Sequence, residues 1–287
     1  MVSDGLCANW TARDSVSQIA WHVPLSRFLV ACTTCDLPPF SRRQQHSVHR
    51  HLGSRTVSTL WQLLRAIATG DAARASRLLA ASPRLAVDAA PVGAARASPM
   101  SYYLEEIGHY VYAGDTALHV AAAAYRTDIA KELVGHGADV SARNRRGAQP
   151  LHYATDGQPG SERWAPKAQA ATLAYLLRAG ADPNAADKNG VTPLHRAVRT
   201  RCAEAVRVLL ANGADPRRKN GSGSTPLHLA VQNTGRGGSG TAAAREQQRE
   251  IIRLLVEKGA RPGDTDGRGK TVTECIAGER IADIIGA

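Results

Sequence analysis

Residues 191–223 read VTPLHRAVRTRCAEAVRVLLANGADPRRKNGSG, and this stretch decides the fold. Thr192 is a good helix N-cap, and Pro193 follows at the first helical position, where a missing N–H costs nothing. The apolar residues that follow fall on one helix face, and a second apolar run ends at Gly213, which supplies the left-handed residue that stops a helix. The stretch therefore predicts a helix, a turn, a second helix and a projecting loop.

The same unit recurs along the chain. Leu118 and Leu151 are 33 residues apart, as are Leu194 and Leu227, whereas Leu151 and Leu194 are 43 residues apart because ten residues are inserted. The interval from the glycine that ends one unit to the residue that opens the next is always twelve residues: Gly137 to Gln149, Gly180 to Thr192, Gly213 to Thr225 and Gly259 to Thr271. A constant interval of this kind indicates a repeat protein.

The segments TPLH, VRVLLANGADP and IIRLLVEKGARP resemble ankyrin repeats, and the resemblance covers residues 58–287. It implies a mainly α-helical ankyrin-repeat solenoid, built from helix-turn-helix units with projecting β-hairpins. Residues 63–83 form a degenerate first unit, and the segment from residue 267 departs from the pattern at Thr273 and Glu274. Because terminal units have no neighbour on one side, we expect about six units, of which two are degenerate caps.

Four histidines recur once per unit, each directly after a leucine: His119, His152, His195 and His228. A metal site needs its ligands to converge, but these residues belong to four different units. The resemblance implies a buried hydrogen-bonding role for them. We therefore expect no metal site and no cofactor.

Three insertions interrupt the units, at residues 84–113, 156–168 and 234–247. The first contains four of the seven tyrosines, a residue that interfaces favour, so it is either a contact surface or a small helix packed on the first unit. In the second, Trp164 is either an exposed binding anchor or a packing residue. The last two insertions lie at the same point of the unit, and we expect them to project from the edge opposite the hairpins.

The third insertion contains a glycine-rich motif. Gly235 and Gly240 have the spacing of a phosphate-binding loop and Thr241 follows, but the lysine of such loops is absent. The preceding TPLHLAVQ is also the first helix of a unit, whereas a phosphate-binding loop follows a strand. We therefore predict a flexible surface loop, with a nucleotide-dependent switch or enzyme as the alternative.

The net charge is +11 at pH 7, which favours acidic partners. We expect a non-enzymatic module that binds another protein with an acidic surface through the hairpin tips and the concave helix face. The candidate contact residues are Arg143, Arg145, Arg146, Lys188, Arg196, Arg199, Arg201, Arg217, Arg218 and Lys219. A solvated rim without a particular partner is one alternative. Nucleic-acid binding is another, although the rim lacks interleaved aromatic residues for base stacking.

Tyr125 and Arg201 occupy the turn between helices where glycine is expected. If the turn is left-handed there, each residue costs about 1 kcal/mol relative to glycine. We hypothesise that these side chains are retained for partner contact. Arg201→Gly is then expected to raise the melting temperature and weaken binding.

Residues 1–57 share none of the periodicity, and we expect a disordered extension before an ankyrin-repeat domain at residues 58–287. Cys32 ends a poor lipoprotein-like sequence, and Cys32, Cys35, His46 and His51 imitate zinc-finger order with the wrong central gap. The chain has no apolar run of ~20 residues that could span a bilayer. Its five cysteines are odd in number, which disfavours a disulfide framework. We expect a cytoplasmic monomer.

Overall fold

The computed structural model describes residues 55–95, 99–157, 159, 161–162, 164–232 and 241–276. These residues form ten α-helices in five consecutive pairs. They are α1 Arg55–Thr69, α2 Ala72–Ala81, α3 Ala117–Ala123, α4 Thr127–Gly135, α5 Pro150–Ala154, α6 Pro166–Arg178, α7 Pro193–Arg199, α8 Ala203–Ala211, α9 Pro226–Ala230 and α10 Ala242–Glu257. Short 3₁₀ turns cover Pro83–Ala86, Met100–Tyr102 and Thr273–Cys275. The fold is mainly helical, as predicted. The remainder of the predicted last cap, residues 277–287, lies outside the described residues.

The four recurring histidines fasten each first helix to the next pair. In α7 the Thr192 backbone N–H donates to His195 Nδ1 at 3.3 Å, so the proton of the neutral ring lies on Nε2. That Nε2 donates to the Ser224 carbonyl, 3.1 Å away in the following loop. The same bond joins His119 to Ala148, His152 to Val191 and His228 to Lys270. The buried hydrogen-bonding role predicted for these histidines is confirmed.

The loops that project between pairs stack on one another through their backbones. Lys188 N donates to Arg146 O at 3.0 Å, and Gly221 N donates to Asn189 O at 2.8 Å. The stacking requires glycine, because Gly147 has φ 76° and a Cβ added there would lie 2.9 Å from Lys188 N. Where the sequence predicted β-hairpins, these loops are hydrogen-bonded turns, and two isolated β-bridges pair Ala89 with Thr116 and Thr265 with Thr271.

A single apolar core runs through the five helix pairs. The leucine that marks each repeat is at most 1% exposed at all four positions: Leu118, Leu151, Leu194 and Leu227. Burial of a leucine side chain stabilises the fold by about 2 kcal/mol, so each of the repeated leucines contributes to the stability of this core.

The first insertion forms a small sheet and not the small helix that was one of its two expected forms. Strand β1, Tyr103–Leu104, pairs antiparallel with β2, His109–Tyr110. The Tyr102 ring lies 5.6 Å from the Trp61 ring on α1. Packing on the first helix pair was correctly anticipated, but two-residue strands carry no detectable alternation in a sequence.

The other two insertions begin at carbonyl groups that are held by glutamine. Gln169 Nε2 donates to Ala154 O at 3.1 Å, at the end of α5. Gln248 Nε2 donates to Ala230 O at 2.7 Å, at the end of α9. Helices α6 and α10 begin inside the predicted insertions, so residues 166–168 and 242–247 are helical. The glycine-rich residues 233–240 lie outside the described residues.

Candidate partner-binding surface

The ten basic residues predicted to contact a partner divide by exposure. Seven side chains are exposed: Arg143, Arg145, Lys188, Arg199, Arg217, Arg218 and Lys219. Arg146 is half-buried. Arg196 and Arg201 are only 9% and 6% exposed. The last two are therefore corrections to the predicted surface, and their burial has a local cause in each case.

Arg196 lies between the first helices of two units. Its Nη1 forms an ion pair with Asp156 Oδ2 at 3.2 Å, and its guanidinium stands 5.7 Å from the centre of the Tyr153 ring. A cation above an aromatic face and beside a carboxylate is stabilised by both. The sequence pattern placed Arg196 on the correct face of α7 but could not show that a neighbouring unit supplies its partners.

Arg201 has the left-handed backbone that the missing glycine predicted, with φ 60°. Its side chain, however, points into the stack: Nη1 donates to Ala230 O at 2.9 Å and Nη2 donates to Gln232 O at 2.7 Å. Burial lowers the pKa of this guanidinium to about 10. The hypothesis that Arg201 is retained for partner contact is therefore wrong, because its contacts are to the next unit of the same chain.

Tyr125, two repeats earlier, also has a left-handed backbone and contacts the next unit of the same chain. Its φ is 55°, and its hydroxyl donates to the Asp156 carbonyl. Burial raises the pKa of this phenol, so the hydroxyl keeps its proton and remains a donor. Both non-glycine turns thus reach forward to the end of the following first helix.

Two of the exposed arginines tie one projecting loop to the next. Arg143 Nη1 donates to Ala186 O at 2.8 Å. Arg217 donates two hydrogen bonds to the Asp264 carboxylate, from Nη2 at 2.7 Å and from Nε at 3.1 Å. These cations remain in contact with solvent, but their hydrogen-bonding groups are partly occupied.

Tyr112 engages the basic pair of the first full loop. The guanidinium carbons of Arg145 and Arg146 lie 5.4 and 5.1 Å from the centre of its ring. Arg145 also donates to the Ala94 carbonyl. The first insertion therefore occupies two of the predicted contact residues.

Four exposed cations have no such internal partner. Within the described part of the chain, no side-chain hydrogen bond or ion pair is formed by Lys188, Arg199, Arg218 or Lys219. The carboxylates of these loops, in contrast, accept hydrogen bonds from the backbone of their own loop. Asp187 Oδ1 accepts from Asn189 N at 2.8 Å, and Asp215 Oδ1 accepts from Arg217 N at 2.8 Å. The four basic side chains therefore remain available to hydrogen-bond a binding partner. We call these four residues the open bases.

A buried polar cluster was missed in the sequence. Asp115 is fully buried and accepts from Tyr153 Oη at 2.9 Å, from Asn144 Nδ2 at 2.8 Å and from Tyr112 N at 2.7 Å. Burial raises the pKa of this carboxyl. The His109 ring lies 4.4 Å from the Tyr153 ring, and burial lowers the pKa of His109 to about 3. The contacts of Asn144 and His109 with this cluster join residues 29 and 44 positions apart, a separation at which no local pattern could have linked them.

Trp164 is a packing residue. Its side chain is half-buried against the core, and Nε1 donates to Gln169 Oε1 at 3.1 Å. A Cβ added at Gly157 would lie 2.9 Å from the same Nε1, so the start of the insertion runs close over the indole. The alternative of an exposed binding anchor is not what the structure has.

The described residues contain no group of histidine, cysteine, aspartate or glutamate that could hold a metal ion. Cys32, Cys35, His46 and His51, which imitate zinc-finger order, lie outside those residues. In the same described segments, no helix combines the length and the apolar character needed to cross a membrane.

Comparison with known protein families gives one match. A family model described as ankyrin repeats in three copies matches residues 94–161 and 164–266. The two matched segments together span more than half of the chain and include helices α3 to α10. No curated protein matches the sequence.

Proposed function

Because the chain belongs to the ankyrin-repeat family, we propose that it binds another protein that presents an acidic surface, without catalysing a reaction. Ankyrin repeats are generally protein–protein interaction modules, and the family is generally non-enzymatic. The chemistry of the partner is the part that this chain's own residues suggest.

The open bases are the observation that carries the proposal. Lys188, Arg218 and Lys219 lie on consecutive projecting loops, and Arg199 ends the first helix α7 between them. Their charges are not paired within the described residues, so they attract carboxylates from solution and orient an approaching acidic surface. Arg143 and Arg217 add positive potential while they tie the loops together.

The two alternatives have less support. A phosphate-binding loop needs a strand before it, and the element before Gly235 is helix α9. Nucleic-acid binding needs exposed aromatic faces for stacking, but Tyr112, the aromatic ring beside the loop bases, already faces Arg145 and Arg146. Acidic protein is therefore the proposed partner, and we propose that it meets a cytoplasmic monomer.

The test is affinity capture from the native cell extract with the full chain. One variant changes the open bases together: Lys188→Glu, Arg199→Glu, Arg218→Glu and Lys219→Glu. The matched control reverses four exposed bases of the second helices and their ends: Lys131→Glu, Lys167→Glu, Arg253→Glu and Lys258→Glu. Equal melting temperatures would show that all three proteins are folded.

We expect an acidic protein that the wild type and the control retain, that added salt releases, and that the open-base variant loses. Salt should release it because exposed charges are screened beyond ~8 Å at physiological ionic strength. Equal retention by both variants would refute a role of the open bases in binding. Retention of nucleic acid in place of protein would favour the second alternative.

A further inference from the structure

Among the residues that the structure describes, the inner face of the solenoid is covered at its N-terminal end and accessible at its C-terminal end. One position, directly after the recurring histidine, shows this along the chain. Its side chain is 0% exposed at Val120, 2% at Tyr153 and 9% at Arg196, and it is more accessible, half-buried, at Leu229.

The position three residues later follows the same trend. It is half-buried at Ala123 and Asp156, and exposed at Arg199 and Gln232. The first row lies on the first helices and the second row lies at or just beyond their ends, so the change in exposure follows the chain from α3 to the residues after α9. Something other than the helices themselves covers the first half.

The first insertion is that cover. Its 3₁₀ turn places Tyr102 against Trp61 on α1, and its strand β2 places His109 against Tyr153 on α5. The insertion therefore reaches from the first helix pair to the third. Leu104, at 3% exposed, and Val111, at 0%, bury the apolar side of this segment.

The cover is fastened by polar contacts as well. Asp115, just after the insertion, binds the Tyr153 hydroxyl of α5. Tyr112 faces Arg145 and Arg146, so the basic pair of the first full loop contacts the insertion, with Arg146 half-buried and Arg145 still exposed. The insertion thus occupies both surfaces that a partner would use in this half, the inner face and the loop.

We infer that the described residues of the first insertion, 84–95 and 99–113, are a built-in occupant of the N-terminal half of this surface, and that an acidic partner segment binds only the C-terminal half. The open half consists of α7, α9 and the loops at residues 180–192, 213–225 and 259–271. This inference rests on the proposed function, because it locates the site of the same acidic partner.

The chemistry of the open half specifies its occupant further. The open bases and the exposed Arg268 require carboxylates, while Leu229 offers an accessible apolar side chain on the inner face between them. The fitting partner is an extended acidic segment that carries at least one apolar side chain. Carboxylates would meet the loops, and the apolar side chain would meet Leu229.

Two pairs of adjacent arginine and lysine residues provide the test. In the full chain, Arg218→Glu with Lys219→Glu alters the open half, and Arg145→Glu with Arg146→Glu alters the covered half by the same charge. The probe is a fluorescein-labelled ten-residue peptide of alternating Glu and Leu, and binding is measured by fluorescence anisotropy. A second peptide, with Ser in place of Leu, tests the apolar contact.

We expect the open-half variant to raise Kd by about fivefold or more, as two exposed charge pairs predict, and the covered-half variant to stay within about twofold of wild type. The serine peptide should bind more weakly than the leucine peptide to all folded proteins. Melting temperatures establish folding, and Arg145→Gln with Arg146→Gln replaces the covered-half variant if reversal destabilises it.

The outcomes separate the two proposals. Equal weakening by both variants would overturn the confinement to the C-terminal half and leave the acidic-partner proposal intact. A larger effect of the covered-half variant would overturn it as well. If the wild type binds neither peptide at low salt, the acidic-partner proposal fails, and this inference fails with it.

Discussion

The two uninterrupted repeats and the two interrupted ones differ in how the first helix connects to the second. In the uninterrupted repeats, α3 and α7 have seven residues each, and a left-handed residue, Tyr125 or Arg201, leads into the second helix. In the interrupted repeats, α5 and α9 stop after five residues, and the second helices lengthen to 13 and 16 residues. An insertion therefore replaces the last turn of the first helix.

The two kinds of repeat depend on each other. Tyr125 and Gln169 both donate to Asp156 O, at the start of one insertion. Arg201 and Gln248 both donate to Gln232 O, at the start of the other. A helix that ends early exposes carbonyl groups without partners, and burying them unpaired is costly. The strained residue of each uninterrupted repeat thus adds a second donor to a carbonyl that a glutamine of the next repeat also binds.

The largest expected effect is a loss of stability at low pH, caused by the buried histidines that both kinds of repeat contain. Burial lowers the pKa of His152, in an interrupted repeat, to about 3, and that of His195, in an uninterrupted one, to about 4. Because the unfolded chain then binds more protons between these values and pH 6.5, stability present above pH 6.5 is lost as the pH falls. We expect a loss of roughly 1 to 2 kcal/mol for each of these histidines between pH 6.5 and pH 5.

Urea unfolding at a series of pH values measures this loss. The pH dependence should be nearly the same in the wild type and in variants of the turn residues, because the histidines belong to the shared framework. A stability that stays constant from pH 6.5 to pH 5 would contradict the burial of the imidazoles.

The second prediction concerns the hydrogen bonds that Arg201 donates to carbonyls at the start of the later insertion. Arg201→Ala should destabilise the protein by about 2 to 3 kcal/mol, because it removes two bonds from a charged donor to backbone carbonyls and keeps the left-handed strain. Arg199→Ala, two residues earlier, is the matched control: its side chain is exposed and makes no hydrogen bond within the described residues. Thermal or urea unfolding of both proteins gives the comparison.

Arg201→Gly separates strain from contact at the same position. It should be more stable than Arg201→Ala by about 1 kcal/mol, since glycine adopts φ 60° without strain, but less stable than the wild type. A glycine variant that melts above the wild type would restore the earlier hypothesis that Arg201 is retained at a cost in stability.

The smallest expected effect is at the earlier insertion. Tyr125→Phe removes only the hydroxyl that binds Asp156 O and should cost about 1 kcal/mol, less than Arg201→Ala because the donor is neutral and single. Tyr175→Phe on α6 is the control, since its hydroxyl makes no hydrogen bond within the described residues. Equal stabilities of the two phenylalanine variants would show that the Tyr125 hydroxyl does not stabilise the earlier insertion in the way that Arg201 stabilises the later one.

Much of the candidate site could be predicted because it repeats. The loop bases were found from the sequence since each loop has a fixed distance from its glycine, and Lys188, Arg218 and Lys219 are indeed exposed. The left-handed turns at Tyr125 and Arg201 were found because glycine is missing at a recurring position. The predicted exposure of Arg196 and Arg201 was wrong. Both side chains are buried because their partners lie on other units, 29 to 43 residues away in the sequence.

The sequence by itself determined the unit, its period and its helix starts, because these depend on residues within about one repeat of one another. The buried role of the histidines was implied by the resemblance to ankyrin repeats. Only the tertiary structure decided which basic side chains lack an internal partner among the described residues, how the insertions are fastened and that the first insertion contacts both α1 and α5. The physical reason is that stacking brings together residues far apart in the chain. A side chain between two units then takes whichever partner the neighbouring unit offers.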